Sequence, residues 1–543
     1  MNDINWDIET DVVVVGTGAA GSAAAATAAS KGASVVILEK ASSAGGTTIK
    51  SGGQAWIPNN FALRSQGIVD AKEDCLRFMA RGNYPYLYNK QGEYFGLPKR
   101  EYDLLYAYYD NGYKAIDFFM QLGVCQFVQV EPLLPDYVDH TPENKVLRGR
   151  LIAPTNRQGG IGYGPDLIRQ FHKWIKEKGI QILTNHRVQQ ILLNEKRETI
   201  GVQVLLNDGS IRSIRSKKAI IFGSGGYTHN PELIRNFQKG PTYGGCAVIT
   251  NTGDLIYMGQ EIGAQLSNMN GAWNAQVPIE LVLENASTPD DIWQPVGDSM
   301  IMVNKYGKRV VNEKRNYNDR TKAHFYWDPV EQEYPNQVLC MIYDRRTVEL
   351  FADSSGIYPI PAPDTTEQYV IEGKDWDDLA KNIRQKVSEL APRLGCWRLD
   401  NRFGINLKDT VKRFNAFARA GIDDDFHRGS FPYDVEWHSK VFSTPDETTK
   451  WPANHHPNIT MYPFTEKGPY YCILVAAGTL DTNGGPRIDT NARILDTKNN
   501  PIPGLFGAGN CIAAPMPNYV AGGATLGNAI TFGYLAGLHA TEK

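Results

Sequence analysis

DVVVVGTGAAGSAAAATAASKGASVVILEK, residues 11–40, is the stretch that decides the fold. Val12 to Val15 is an unbroken β-branched run, the composition of a parallel strand covered on both faces. Gly16, Gly18 and Gly21 follow in G-x-G-x-x-G order and open an alanine-rich segment that ends at Lys31-Gly32. The glycines therefore sit where a strand becomes a helix. Gly16 allows the tight turn, Gly18 lets a pyrophosphate reach the backbone, and Gly21 lets helix and strand close up. The helix start at Ala19 and Ala20 adds amide donors and a positive dipole end. A second strand, Val35 to Leu38, ends at Glu39, an acid about 20 positions on that suits ribose hydroxyls. Strand, glycines, helix, strand and acid together predict a dinucleotide site.

Outward from that core, residues 41–60 read ASSAGGTTIKSGGQAWIPNN. The pairs Gly45-Gly46 and Gly52-Gly53, with Thr47, Thr48 and Ser51 between them, let amides and hydroxyls crowd against a flat or anionic ligand. Trp56-Ile57 directly after them argues for a loop that wraps a ligand. Leu104, Ala107 and Tyr108, then Ile116, Phe119 and Met120, have helical spacing, so residues 71–123 are expected to form helices over the nucleotide domain. PDYVDHTPENKVLRGR, residues 135–150, is a polar loop interrupted by Tyr137. Ile180, Ile182, Val188, Ile191 and Leu192 alternate with polar residues as a hairpin or meander requires. Ala219 to Phe222 is another strand, and it delivers Gly223-Ser224-Gly225-Gly226 to the nucleotide end of the sheet.

Beyond about residue 271 the composition turns richer in Trp, Pro and charge. MIMVNKYGKRVVNE predicts a hairpin turning at Tyr306-Gly307. Trp376, Leu379, Ile383, Val387 and Leu390 predict one amphipathic helix, and Val411, Phe414 and Phe417 a second. Nucleotide-type sequence then returns as IPGLFGAGN, a strand running to Gly509 and Asn510, and as a glycine-started helix from Gly522. The expected architecture is an α/β, Rossmann-type (glutathione-reductase-like) dinucleotide domain, residues 1–275 and 459–543, interrupted by an inserted α+β catalytic cap, residues 276–458. One fingerprint with a late strand that comes back to the same ligand fits FAD, which spans the whole sheet edge. NAD would not require that return.

The 543 residues carry a formal charge of -3 and 21% charged residues. This balance gives no reason to expect nucleic acid. The N-terminal MNDINWDIET has no apolar core of a signal peptide and no run is long enough to span a bilayer, so a cytoplasmic protein, at most peripheral to a membrane and with no transmembrane segment, is expected. Seven scattered cysteines never fall in C-x-x-C spacing, which suits reduced thiols and no metal. His455-His456, beside Pro457, are read as loop residues.

Together, Gly16-Thr17-Gly18-Ala19-Ala20-Gly21, Gly45-Gly46-Thr47 with Ser51-Gly52-Gly53 and Trp56 to Asn60, Asn312-Glu313, and Pro503 to Asn510 resemble the flavoprotein superfamily of fumarate reductases and 3-ketosteroid dehydrogenases. GGTT-x-x-SGG-x-x-WIPNN, and AGN followed by Tyr519, Gly522, Gly523 and Thr525, are most similar to the 3-ketosteroid Δ1-dehydrogenases. The resemblance implies non-covalent FAD held by Gly16, Gly18, Ala19, Ala20, Gly21, Glu39, Lys40, Gly45, Gly46, Thr47, Thr48, Ser51, Gly52, Gly53, Val188, Gly225, Gly226, Asp254, Gly509, Asn510, Thr525 and Leu526. It implies a hydrophobic ketone substrate, a steroid, whose 3-ketone is polarised by the Tyr519 hydroxyl and the Gly523 amide. Tyr317 would take a proton from carbon 2 while carbon 1 gives up a hydride, and Tyr137 would assist by hydrogen bonding. An external electron acceptor, a quinone or similar, is implied as well. The segment departs from the family pattern at Asn518, Val520 and Ala521, which leaves a Δ4-dehydrogenase or an ene-reductase of a steroid-like ketone as alternatives. A fumarate-type dicarboxylate reductase needs arginine clamps. PMPNYVAGG after Asn510 supplies neither arginine nor histidine.

Overall fold

Val12, Val13 and Val14 are completely buried because their strand, Ile8–Val15, lies between Val35–Leu38 on one side and Ile211–Phe222 on the other, parallel to both. The computed structural model describes residues 4–288, 292, 294–351, 359–361, 365, 367–442 and 454–542. The sheet continues from Val35–Leu38 to Gln181–Leu183 and from Ile211–Phe222 to Pro501–Gly507, again in parallel, and ends on Arg493–Leu495. His186–Leu193 and Thr199–Leu206 form an antiparallel meander that joins at Ile211–Phe222. The sequence expectation of a hairpin or meander strand holds for His186–Leu193. Gln181–Leu183, read as part of the same meander, pairs instead with Val35–Leu38.

The alanine-rich helix is Ala19–Ser30, with ten of its residues buried. It packs against the last helix, Ala524–His539, through small residues. A Cβ on Gly533 would lie 2.5 Å from the Ala20 carbonyl oxygen, and one on Gly537 would lie 2.4 Å from that of Ala24. Two helices this close exclude any larger side chain at the crossing, which is why Gly533 and Gly537 face Ala20 and Ala24 there. The expected helices over this domain are Lys72–Asn83 and Lys99–Gln121, with Leu104, Ala107, Tyr108, Ile116 and Phe119 buried.

The chain divides into two compact units, residues 1–237, 247–273 and 481–543 in one, 238–246 and 274–480 in the other. The sequence boundary at 458/459 falls inside the second unit, because its central strand is Tyr470–Thr482. That strand pairs with Val338–Asp344 and Val370–Gly373, and Met300–Val303 extends the antiparallel sheet. Alternate side chains of these strands serve two cores. Cys340, Ile342 and Leu474 face Leu379, Ile383, Val387, Val411, Phe414 and Phe417 from helices Trp376–Leu390 and Phe403–Ala420. Leu339, Met341, Tyr343, Ile473 and Val475 form the other core. The expected turn at Tyr306-Gly307 is present, with the Gly307 amide donating to Asn304 O at 2.9 Å. Its return arm makes a single bridge, Val303 to Arg309, because Arg309 leaves the sheet to pair with Glu313 and Asp423. Among the described residues no helix is long and apolar enough to cross a membrane.

Candidate active site

At the end of the first strand, a Cβ on Gly16 would lie 2.4 Å from the Gly223 carbonyl oxygen, and one on Gly21 would lie 2.0 Å from that of Gly16. Backbone meets backbone at both, so neither tolerates a side chain. Gly18 differs: a Cβ there would meet the Thr48 hydroxyl at 3.3 Å and the Gly45 oxygen at 3.8 Å. The predicted loop Gly45 to Gly53 comes to this same place. Gly45 N–H donates to Thr17 Oγ1 at 2.8 Å, and the Thr17 hydroxyl donates to Glu39 at 2.5 Å. Ala19 N–H donates to Thr48 Oγ1 at 3.0 Å. A Cβ on Gly46 would come no nearer than 3.7 Å to any atom, and one on Gly52 would stand in open space. Ser51 Oγ donates to Thr48 O and accepts from Gly53 N–H, which fixes the loop's far end.

Beyond Glu39, Lys40 Nζ donates to Thr252 Oγ1 at 2.7 Å and to Asp254 at 3.1 Å, and Arg187 reaches the same carboxylate. Burial pulls the Lys40 ammonium below its ordinary value, opposed by the Asp254 charge. Val188, next to Arg187, is buried. Thr47 Oγ1 accepts from Val248 N–H and from Asn251 Nδ2, and Asn251 packs on Gly225. Gly509 lies against Ala20, and Thr525 and Leu526 open the last helix. Amides, hydroxyls, a helix start and an inward acid suit a pyrophosphate and a ribose, so the residues present fit a dinucleotide.

Asp481 lies at the end of Tyr470–Thr482, 1% exposed. One carboxylate oxygen accepts from Gly226 N–H at 2.8 Å, Asn251 Nδ2 at 2.7 Å and Asn510 Nδ2 at 3.2 Å. The other accepts from the Thr228 hydroxyl and the Thr482 amide, each at 2.9 Å. Burial pushes the carboxyl up, and the donors pull it back. With its NH2 turned to Asp481, Asn510 offers Oδ1 to Trp273 Nε1, which donates to it at 2.9 Å.

Trp273 leads to the tyrosines. Its ring is 5.2 Å from that of Tyr519, and Tyr137 meets Tyr519 edge to face at 5.4 Å. The 518–523 segment is clamped on both sides. The Asn518 backbone N–H donates to Asn83 Oδ1 and its Nδ2 donates to Asn83 O, while the Tyr137 and Val138 amides donate to Val520 O. A Cβ on Gly522 would stand 2.9 Å from the Tyr137 hydroxyl oxygen, so that hydroxyl lies directly against residue 522. Gly523 is the N-cap of the last helix, and its oxygen accepts from Trp56 N–H at 3.0 Å.

A buried ion network underlies Tyr137. Arg150, 1% exposed, donates to Asp70 at 2.9 and 2.8 Å and to Asp136 at 2.8 Å, and Trp56 Nε1 donates to the other Asp136 oxygen at 2.9 Å. Burial pushes the Asp136 carboxyl up to about 6, against the pull of Arg150. Trp56 thus touches Gly523 through its backbone and the Tyr137 segment through its ring.

Tyr317 belongs to the second unit and starts the short helix Tyr317–Thr321, capped by Asn316. The preceding Glu313 is fully buried, holding Arg309 at 2.8 Å and Arg428 at 3.2 Å, and Asn312 donates to Asp434. Asn312-Glu313 is therefore a structural anchor for the segment that carries Tyr317. Tyr519, Tyr137, Gly522 and Gly523 come together in the first unit.

Sequence reasoning missed Asp481, Trp273, Asn251 and the Asp70–Arg150–Asp136 network. A signal for the first was present: Tyr470 to Leu480 is a strand-like run that ends in Asp-Thr-Asn-Gly-Gly, as the other nucleotide-end strands end in glycines.

A family model described as FAD binding domain matches residues 11–526. Among curated relatives, 4-oxocyclohexanecarboxylate 2-dehydrogenase of Sinomonas cyclohexanicum is 30% identical, with 97% of this chain and 92% of that protein covered. A 3-oxosteroid 1-dehydrogenase of Mycolicibacterium smegmatis is 28% identical over 98% of this chain and 97% of its own. Among solved structures, 3-ketosteroid delta1-dehydrogenase from Sterolibacterium denitrificans, in complex with 1,4-androstadiene-3,17-dione, superposes with a TM-score of 0.81 at 22% identity, covering 98% of this chain and 99% of that one.

Proposed function

The chain belongs to the FAD binding domain family, and from that premise we propose that it is an FAD-dependent 3-ketosteroid dehydrogenase that introduces the Δ1 double bond of ring A. The observation that carries the reading is the clamped 518–523 segment. It holds Tyr519 and Gly523, the N-cap of the last helix, four residues apart. Full-length similarity to a 3-oxosteroid 1-dehydrogenase supports the substrate class.

In this reading the Tyr519 hydroxyl and the Gly523 amide donate to the 3-ketone oxygen. Charge drawn onto that oxygen acidifies the hydrogens of carbon 2, and one such donor is worth about 3 kcal/mol. Tyr317 takes the carbon 2 proton. A phenol with a free pKa of about 10 needs a relay to act as a base, and Tyr137 is proposed for it. Bound FAD supplies the acceptor for the hydride that leaves carbon 1. Turnover also needs an external two-electron acceptor, a quinone or similar carrier. A dicarboxylate clamp at this place is disfavoured, because the buried guanidinium of Arg150 is engaged by Asp70, Asp136 and Asn144.

The test is anaerobic mixing of the FAD-loaded protein with a panel of ketones while flavin absorbance is followed. Bleaching by 3-ketosteroids saturated at C1–C2, with a 1,2-ene product, is the expected result. The relative acting on a single-ring keto acid favours a second reading with the same α,β-desaturation chemistry. Bleaching by 4-oxocyclohexanecarboxylate but by no steroid would select it. Reoxidation of reduced flavin by fumarate alone would overturn both.

A further inference from the structure

Three chain segments distant in sequence end on one carboxylate. The Gly223–Gly226 turn sends an amide to it, the loop after residue 247 sends Asn251, and the strand-end Asn510 sends its amide nitrogen. Gly226 and Asn510 are residues expected to face FAD, and Asn251 also holds Thr47 of the wrapping loop. A side-chain amide can turn over at little cost when its two ends have similar partners. At Asn510 they differ: an acceptor, Asp481, sits on one side, and a donor, Trp273 Nε1, on the other. The carboxylate therefore selects one of the two orientations of Asn510. That orientation presents the oxygen which holds Trp273, whose ring packs on Tyr519.

We propose that Asp481 is a positioning residue that ties the cofactor-side backbone to the ketone-side tyrosine, acting through Asn510 and Trp273. The proposal rests on the reading of Tyr519 as the ketone donor for its effect on turnover, and is independent of that reading for its effect on FAD. Buried charge-assisted hydrogen bonds are the strong ones, and losing the acceptor leaves several buried donors without a partner.

The test compares FAD-loaded wild-type protein with Asp481→Asn, Asp481→Ala, Trp273→Phe and the double variant Asp481→Asn/Trp273→Phe. FAD affinity is read by flavin fluorescence, the flavin environment by visible circular dichroism, and turnover with 4-androstene-3,17-dione. Asp481→Ala is expected to weaken FAD binding by about tenfold or more. Asp481→Asn, which keeps one oxygen for Gly226, Asn251 and Asn510, is expected to weaken it less. Trp273→Phe is expected to leave FAD affinity within about twofold and to lower kcat/KM by about tenfold. Because both residues act through Asn510, the double variant should lose less than the product of the single losses.

Multiplicative losses in the double variant, or FAD affinity in Asp481→Ala within about twofold of wild type, would overturn the proposal. If Asp481→Ala does not fold, Asp481→Asn and the cycle decide alone. If the wild-type protein turns over no ketone, the proposed function fails, and the cycle is then read on the flavin circular dichroism. There a change in Asp481→Asn that Trp273→Phe shares and the double variant does not enlarge supports the link, and independent changes refute it.

Discussion

Tyr519 has two roles that one substitution separates. Its ring packs between Tyr137 and Trp273, and its hydroxyl is the proposed donor to the ketone. Tyr519→Phe keeps the ring and removes the donor, so kcat is expected to fall by about 10²–10³. Melting temperature and FAD content should stay at wild-type values; steady-state kinetics and the flavin-to-protein absorbance ratio check this, and unchanged turnover removes Tyr519 from the site. Gly522→Ala probes the neighbouring contact. Its Cβ would press within 2.9 Å of the Tyr137 hydroxyl oxygen, so turnover and melting temperature should both drop; a Gly522→Ala/Tyr137→Phe pair should recover part of the melting temperature but not the turnover, because the proposed relay hydroxyl is gone. At this scale the sequence was readable where one residue type has one physical use, as for the glycines at strand ends, whereas the pairing of Tyr519 with Gly523 came from the family resemblance. It was not readable for Asp481 or Arg150. A buried carboxylate or guanidinium looks like any surface charge until the segments that surround it, here 70, 136 and 144 around Arg150, are brought together.

Among the elements, the crossing of Ala19–Ser30 with Ala524–His539 holds the nucleotide cradle and the Gly523 cap to the same pair of helices. Gly533→Ala would place a methyl 2.5 Å from the Ala20 oxygen. Overpacking of this kind costs about 1–3 kcal/mol. The last helix should shift off its partner, with a lower melting temperature and a lower FAD content measured on the same sample. Arg150→Met is expected to be more severe, about 3–5 kcal/mol, since it strands two buried carboxylates; Arg150→Met combined with Asp70→Asn and Asp136→Asn should recover part of the loss in denaturant melts. The elements themselves were legible from period and composition, including helices Trp376–Leu390 and Phe403–Ala420. Pairing was harder to read. Gln181–Leu183 has the alternation of a meander strand, yet its partner is Val35–Leu38, and alternation says which face is buried without saying which neighbour is hydrogen-bonded.

At the scale of the whole molecule, acid acts with opposite sign on two buried groups, one in each unit. In the first, burial raises Asp136 from 3.8 to about 6. Between those values the folded state binds the extra proton, so its stability rises as pH falls through 6. In the second, burial lowers His324 from 6.5 to about 4. There the unfolded state binds the extra proton, so stability is full above 6.5 and is lost as pH falls toward 4. The geometry says why His324 resists protonation: Nδ1–H donates to Asn336 O at 2.7 Å and Nε2 accepts from the Gln276 amide at 2.9 Å. A second ring N–H would face that NH2 group. Turning Gln276 to relieve it would break the bond that Arg320 Nε makes to Gln276 Oε1 at 2.6 Å, and Arg320 sits on the helix that Tyr317 begins. From pH 7 to pH 5 the Asp136 contribution changes by about 1 kcal/mol in favour of folding and that of His324 by about 2 kcal/mol against it. Hydrogen exchange, corrected for intrinsic rate, should therefore show residues 317–325 losing protection at pH 5 while residues 135–150 keep or gain it. His324→Gln should abolish the first response and Asp136→Asn the second, each without altering the other. A uniform change over both segments would mean that neither group governs the acid response of its own segment.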